Sequence, residues 1–387
     1  MQGAPLRLRC EYLEDPLGID QCSPRLSWWP NDSRPAEIQT GYELLAASKR
    51  ELLGLDEGDL WDSGRVESSE TSVVYRGAAL TSSRRVWWKV RNFDSDGLAS
   101  PWSKPAFFEA GLLSGEDWRA KWIASPLTGS RVSSVPVPLF RRSFELAAAP
   151  SSARLYISAL GLYQVEINGH DVTAGALAPG WCDFERETSY QAYDVTAALD
   201  AGENVIGVLL GDGAFSGRTG IGEREHYGSR PQLIAQLHLE LASGARLVIA
   251  TDERWQWRPS WILAADQIAG ESIDWRQYDP LWSNPQPDWI GFPVQSCDPP
   301  VRLRASRQRS VHSLGAVTAE LHSAGQRRLM FQLPQICVGR ARVTCALPSG
   351  AVVKLRYGSA LDEQGELVQA TGEDVHVAAG LEPAERL

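Results

Sequence analysis

One stretch decides the fold, Leu155 to Gly217, with the sequence LYISALGLYQVEINGHDVTAGALAPGWCDFERETSYQAYDVTAALDAGENVIGVLLGDGAFSG. Apolar residues alternate or cluster over strand-like lengths in three runs, Leu155–Ile167, Ser189–Val195 and Asn204–Leu210. Turn residues bound each run. Asn168-Gly169 is the strongest hairpin signal, because both central positions of a tight turn must accept positive φ. The pattern predicts an antiparallel β-sandwich.

Length and composition limit the class of protein. A chain of 387 residues predicts two to three domains, and a hydrophobic content of 43% with 22% charged residues is ordinary for a globular protein. The formal net charge of −10 argues against nucleic acid or an anionic membrane as partner. No apolar run is long enough to span a bilayer, and the opening MQGAPLRLRCEYLEDP lacks a signal-peptide core. These features predict a cytoplasmic protein.

The cysteines and histidines give no sign of a disulfide framework or a metal site. No C-x-x-C occurs, and no Cys/His pair has zinc-finger spacing. At this density we expect scattered free thiols. The cysteines are Cys10, Cys22, Cys182, Cys297, Cys337 and Cys345, and the histidines are His170, His226, His238, His312, His322 and His376.

Residues 1–115 have the pattern of a small β-sandwich. Alternation along Val86–Phe93, a turn, and renewed alternation at Phe107–Ala110 are typical of the last two strands of a fibronectin-III/Ig-like domain. Trp87, Trp88 and Trp102 are expected to pack in or across that sandwich. The alternative, an aromatic platform for a sugar, is the less favoured interpretation.

Several phrases along the chain resemble one family in its order. Beside ALGLYQVEINGHDV, LAPGWCDFERETSYQAYDVT and NVIGVLLGDGAFSG in the central stretch, they are Asp15–Asp20, Pro24–Trp28, Leu60–Tyr75 and Asp117–Ala124. Together they resemble the N-terminal β-sandwich region of bacterial α-L-rhamnosidases, glycoside hydrolases of family 78 that remove terminal rhamnose from glycosides and polysaccharides. The likeness spans roughly the first 300 residues and weakens after that.

The resemblance implies an all-β chain of tandem β-sandwiches. Residues 1–115 form the fibronectin-III/Ig-like sandwich, and residues 116–300 form the family's N-terminal domain, a jelly-roll-like sandwich of carbohydrate-binding type. Residues 301–387 begin a further β-sandwich and leave it incomplete, which would expose an unpaired edge.

Catalysis in this family is expected outside the chain. The inverting reaction needs two carboxyl groups on opposite faces of the glycosidic bond. In the family both lie in an (α/α)6 barrel, which needs at least about 200 residues. The residues after Pro299 are fewer than half of that and have the pattern of strands. We therefore predict no catalytic residue, and a chain that alone does not hydrolyse rhamnosides. Acidic candidates such as Asp252, Glu253, Glu271, Asp274, Asp362 and Glu363 are interpreted as solvated charges at turns and strand ends.

Two loops of the second domain carry groups that bind sugars. Aromatic faces pack under the C–H groups of a sugar, and planar polar side chains bond its hydroxyls. One loop offers Trp181, Asp183, Glu185, Arg186 and Tyr190, and the second, Arg218–Arg230, offers Glu223, His226 and Tyr227. A purely structural role for this domain is the favoured alternative.

The resemblance also implies calcium as a candidate ligand, because some relatives use this domain as a calcium-dependent rhamnose-binding module. Calcium prefers six to eight oxygen ligands. Neither loop contains Asn, and Arg186 places a positive charge nearby, which argues against a metal. We predict no cofactor.

Two functions remain open from the sequence. The first is the non-catalytic N-terminal part of an α-L-rhamnosidase, a scaffold that binds carbohydrate or only supports the missing catalytic domain as partner. The second is a free-standing carbohydrate-binding β-sandwich protein. Either would have a rhamnose-containing glycoside or polysaccharide as its ligand. Exposed apolar edges after Leu329 would favour the first.

Overall fold

A computed structural model describes residues 2–34, 38–173, 175, 177–220, 222–286, 288–308, 315–324, 328–335, 338–339, 341–344, 346–364, 367–368 and 373–379. Strands dominate this part of the chain. Its α-helices are two short ones, Arg50–Gly54 and Gly213–Ser216, and single 3-10 turns occur at Gly115–Asp117, Thr196–Ala198 and Trp275–Gln277. None of these helices is long and apolar enough to cross a membrane.

The first sandwich packs a three-stranded sheet against a four-stranded sheet. The first sheet has the order Gln2–Cys10, Arg25–Asp32, Ser72–Val74, and the second has the order Trp61–Glu67, Gly41–Ala47, Arg85–Phe93, Ala106–Glu109. Alternate residues of both sheets fill the core, with Trp28 and Trp88 almost fully buried. This is the predicted Ig-like architecture.

Aromatic residues of the first sandwich serve packing. Trp88 lies in the core, whereas Trp87 packs on the other face against Phe107, with ring centroids 5.1 Å apart. The Trp102 ring lies beside the Lys89 ammonium at 4.5 Å and the Arg91 guanidinium at 4.6 Å. Cations over the ring occupy the surface that a sugar would need.

The first helix, Arg50–Gly54, begins without a side-chain N-cap. Lys49 occupies the N-cap position and makes no side-chain cap, while the Ser48 hydroxyl donates instead to Asp59 at 2.7 Å.

The second sandwich consists of a six-strand path facing a six-stranded sheet. The first sheet has the order Gln295–Cys297, Trp122–Ala124, Gln232–Leu241, Pro150–Leu160, Glu187–Asp194, Arg302–Ala305, with Arg246–Ala250 also paired to Gln232–Leu241. The facing sheet has the order His170–Asp171, Leu162–Ile167, Gly202–Gly211, Pro138–Leu146, Gln256–Pro259, Phe292–Pro293. Alternate apolar side chains from both sheets form the largest core cluster.

The central stretch folds as two sheets rather than one continuous run. Leu155–Ile167 breaks at Gly161, whose φ of +140° is a conformation that L side chains rarely adopt. Strand Pro150–Leu160 therefore lies in one sheet and Leu162–Ile167 in the other. The predicted hairpin at Asn168-Gly169 is confirmed, since Ile167 pairs with His170 and both turn residues have positive φ.

The segment GDGAFSG, residues 211–217, contains a helical turn. Gly213–Ser216 is helical, and the Gly217 amide donates to the Gly213 carbonyl at 2.9 Å. All four helical residues are buried, because Phe215 packs against Phe184. The local sequence gives no sign of this burial.

The boundary predicted at residue 300 does not separate the sheets. Arg302–Ala305 pairs in parallel with Glu187–Tyr190 of the second sandwich. Near the other end, Glu373–Val377 pairs in parallel with Gly270–Asp274, in a sheet ordered Ile262–Asp266, Gly270–Asp274, Glu373–Val377, Val352–Arg356. Long-range parallel pairing leaves no signal in the local sequence.

The remaining described strands form two small hairpins. They are Glu320–Ala324 with Leu329–Gln332, and Ala360–Leu361 with Leu367–Val368. Of residues 338–347, those that the structure describes are 338–339, 341–344 and 346–347, and they form no strand. Cys10, Cys22, Cys182 and Cys297 are free thiols, and Cys337 and Cys345 lie outside the described residues.

Candidate carbohydrate-binding site

The first predicted loop is a tight turn just before strand Glu187–Asp194. The backbone amides of Arg186 and Glu187 both donate to the Asp183 carbonyl at 2.9 Å, and the Asp183 carboxylate accepts from the Glu185 amide at 3.2 Å. This turn buries Phe184 and leaves its charged neighbours exposed. The backbone thus fixes which side chains face solvent.

Phe184 joins the two predicted loops. Its ring packs edge-on against Phe215 at 5.6 Å and against Tyr227 at 5.3 Å between centroids. His226 in turn packs edge-on against Tyr227 at 4.6 Å. The segments predicted separately from the sequence therefore form one surface, which we call the loop cluster, residues 181–186 and 222–230.

The exposed side chains of the loop cluster combine a large ring with charges. Trp181 is 61% exposed. The Arg186 guanidinium lies 3.5 Å from the Asp183 carboxylate, and Arg131 lies 3.3 Å from Glu223, all with more than half of each side chain in water. Glu185 and His226 are also exposed, and Tyr227 is half-buried. Ring faces and planar polar groups are the contacts that sugars require.

Tyr190 does not belong to this surface, contrary to prediction. It lies within strand Glu187–Asp194 and is 2% exposed. Its hydroxyl accepts a hydrogen bond from the Leu112 amide at 3.0 Å, and its ring packs edge-on against Trp118 at 5.3 Å. Burial raises the pKa of Tyr190 well above its usual value. Strand alternation points this ring at the first sandwich, where it helps to join the two domains.

Two residues that organise the loop cluster were not predicted. Phe184 stands among charged residues in CDFER, and a lone apolar residue there is the signal that could have indicated an anchor. Arg224 is 5% exposed, although it stands between two acids in GEREH. Nothing in the local sequence distinguishes it from the exposed arginines nearby.

Two of the acidic candidates, Asp274 and Asp252, are paired with arginines. Asp274 accepts hydrogen bonds from the Arg276 side chain, which lower its pKa far below the usual range. Burial alone would raise the pKa of Asp252, but hydrogen bonds from Arg254 outweigh it and lower the value. A general acid needs a raised pKa instead. Neither residue fits that role.

A concave site lies on the facing sheet of the second sandwich. It has a volume of about 300 Å³ and is lined by Arg258, Pro259, Ser260, Trp261, Gln277 and Asp279. Arg258 is already paired with Asp279 at 2.6 Å, and its guanidinium lies 3.9 Å from the centre of the Trp289 ring. Trp261 is buried and packs edge-on against Tyr278 at 4.8 Å. Arg258, Asp279 and Trp261 therefore already have partners within the protein.

Models of known families match both sandwiches. The Rha78A-like, N-terminal immunoglobulin domain matches residues 5–114, and the Alpha-L-rhamnosidase N-terminal domain matches residues 148–314. Fold and loops thus define a protein of tandem β-sandwiches, an immunoglobulin-like domain followed by a rhamnosidase N-terminal domain.

Whole proteins agree with these domain matches. The chain is 32% identical to an α-L-rhamnosidase of Alteromonas sp. (strain LOR) over 91% of its length, and 30% identical to one of Formosa agariphila over 95%. It superposes on the structure of α-L-rhamnosidase from Dictyoglumus thermophilum with a TM-score of 0.88, at 28% identity over 99% of the chain. The chain belongs to the α-L-rhamnosidase family and corresponds to its N-terminal, non-catalytic part.

The match covers only part of each relative. The chain spans 40% and 42% of the length of the two curated relatives and 45% of the superposed chain. The likeness therefore establishes family and fold for this part.

Proposed function

We propose that this chain supports the catalytic domain of an α-L-rhamnosidase and binds rhamnose-containing glycosides through the loop cluster of its second sandwich. The observation that supports sugar binding is the packing of Phe184, which joins the two loops into one surface. That surface carries Trp181, Asp183 and Arg186 from the first loop and His226 and Tyr227 from the second. The relatives' name, α-L-rhamnosidase, gives the class of sugar.

A scaffold must hold its domains in fixed relation, and buried polar contacts support this role. Glu109 of the first sandwich accepts from Arg154 of the second at 2.7 Å, and both are buried. The Tyr190 hydroxyl of the second sandwich accepts from the Leu112 amide of the first at 3.0 Å. Buried polar groups with fixed partners favour one arrangement.

Exposed apolar side chains after residue 320 support a docking role. Leu321, Leu329, Phe331 and Val352 are each 57–60% exposed. Leu321 and Phe331 lie opposite each other in one hairpin, and neighbouring large apolar side chains in water are typical of a surface that another protein surface covers. This favours the scaffold over a free-standing binding protein, and the catalytic domain is the partner that the family provides.

The exposed Trp181 ring provides the first test. Trp181→Ala is expected to weaken binding to a soluble polysaccharide rich in α-L-rhamnose by about tenfold, which corresponds to ~1.4 kcal/mol, because the apolar face of the sugar loses its ring. Affinity electrophoresis in native gels that contain the polysaccharide measures the change as lost retardation.

The matched control is Trp29→Ala, since Trp29 is 52% exposed on the first sandwich. It should be retarded as strongly as the unaltered chain. Equal retardation of both variants would reject Trp181 as the platform. If Asp279→Asn alone then abolished retardation, the ligand would bind in the cleft of the facing sheet.

A further inference from the structure

A buried arginine lies at the base of the loop cluster. Arg224 has 4% of its side chain exposed, and its guanidinium contacts two carboxylates from distant segments. One nitrogen lies 2.7 Å from Asp212, and another lies 3.2 Å from Asp266. Both acids are themselves more than nine-tenths buried. Three charged groups are therefore held together out of water.

Further hydrogen bonds surround these three charged groups. Asp266 accepts from the backbone amides of Arg218, Ile268 and Ala269 at 2.9–3.0 Å. Asp212 accepts from the Ser134 hydroxyl at 2.7 Å. The Arg224 side chain also donates to the Ser130 carbonyl at 3.3 Å. Residues 130, 134, 212, 218, 266, 268 and 269 thus meet around one cation, the guanidinium of Arg224.

Burial and hydrogen bonding shift the pKa of Asp266 in opposite directions. Burial alone would raise its pKa, but the amides of Ala269, Ile268 and Arg218 and the nearby Arg224 outweigh burial, so the pKa of Asp266 lies below its usual value. The carboxylate is therefore charged at neutral pH and requires a cation.

Calcium does not fit these residues. The ion takes six to eight oxygen ligands. The Asp212 and Asp266 carboxylates already accept hydrogen bonds from Arg224 and other donors. The Arg224 guanidinium, in direct contact with both carboxylates, would also repel a divalent cation bound there. In the described part of the chain, no group of three or more His, Cys, Asp or Glu side chains could hold a metal.

We propose that Arg224 is a built-in cation that holds the loop cluster in its folded conformation, as a bound metal ion would. The loops are therefore folded, and bind sugar, without calcium. The guanidinium is covalently part of the chain, so it cannot be removed by chelation or dilution. Its planar fork reaches two carboxylates at once, which a lysine ammonium cannot do with the same geometry. The consequence for sugar binding rests on the proposed function, whereas the ordering role does not.

Thermal unfolding without any sugar tests the ordering role. The unaltered chain should have the same Tm in calcium chloride and in EDTA. Arg224→Gln should lower Tm by on the order of 10 °C, because two buried carboxylates lose their counter-charge. Adding Asp212→Asn to Arg224→Gln should recover part of that loss, since one of the two carboxylates is then neutral.

Arg131→Gln is the matched control, because Arg131 is 76% exposed and contacts the same loop. It should leave Tm unchanged. If Arg224→Gln does not fold, Arg224→Lys keeps the charge without the fork and should give an intermediate Tm. A Tm that rises with calcium and falls with EDTA in the unaltered chain, or an Arg224→Gln variant that melts like Arg131→Gln, would overturn the proposal. Absence of sugar binding would reject the proposed function and leave these melting results unaffected.

Discussion

Glu109→Gln is expected to lower the free energy of unfolding by about 3 kcal/mol, because it leaves the buried Arg154 guanidinium without its counter-charge. Glu109 has 5% of its side chain exposed, and it lies 2.7 Å from Arg154 and 2.9 Å from Arg85. Asp194 also contacts Arg154 at 3.0 Å, but it is half exposed and compensates only in part. Urea unfolding, followed by tryptophan fluorescence, measures the loss.

The pair also joins the two sandwiches, so its loss should affect cooperativity. Glu109 ends the last strand of the first sandwich, and Arg154 belongs to a central strand of the second. We expect the variant to show a lower first midpoint and a broader transition. Glu67→Gln is the control, since Glu67 is 67% exposed and its pair with Arg65 should contribute about 0–1 kcal/mol. Equal midpoints for the two variants would show that the pair does not hold the domains together.

Phe184→Ala is expected to have the second large effect, a loss of about 3 kcal/mol in unfolding free energy. Phe184 is 3% exposed and contacts both Phe215 and Tyr227 edge-on. Its removal leaves a cavity between the loops, and each aromatic pair adds stability beyond buried area. Differential scanning calorimetry and polysaccharide retardation should both show a loss.

Phe184→Leu separates packing from loop folding. It keeps most of the apolar volume and should lose about half as much stability while it retains sugar binding. Leu177→Ala is the surface control, because Leu177 is 59% exposed. Unchanged stability in Phe184→Ala would mean that the two loops are held together by other contacts.

Local patterns in the sequence predicted much of the fold. Asn168-Gly169 specified its hairpin because the turn requires positive φ at both positions, and the alternation of Val86–Phe93 and Phe107–Ala110 indicated strands of the first sandwich. The break at Gly161 was missed, because one glycine in an apolar run gives no hint that the chain changes sheet. The parallel pairing of Arg302–Ala305 joins residues more than a hundred positions apart and has no local signal.

The sequence predicted which residues form the candidate site better than it predicted the contacts that hold them together. Trp181, Asp183 and Arg186 lie on the expected exposed loop, and Tyr227 joins them through Phe184. Tyr190 follows the same loop in sequence, but strand alternation buries it against the first sandwich. Arg224 was indistinguishable from a surface charge, since only tertiary structure brings Asp212 and Asp266 to it.

Calorimetric titration of the purified chain with L-rhamnose, in calcium and in EDTA, tests the central claim most directly. We expect saturable heat with a dissociation constant on the order of 1 mM, equal in both buffers, because a monosaccharide offers few contacts. Asp183→Ala with Glu185→Ala should abolish it. The control double variant Glu240→Ala with Glu253→Ala removes the same charge from the same sandwich and should bind normally. No heat in either buffer, or equal heat in both double variants, would contradict a rhamnose site in the loop cluster.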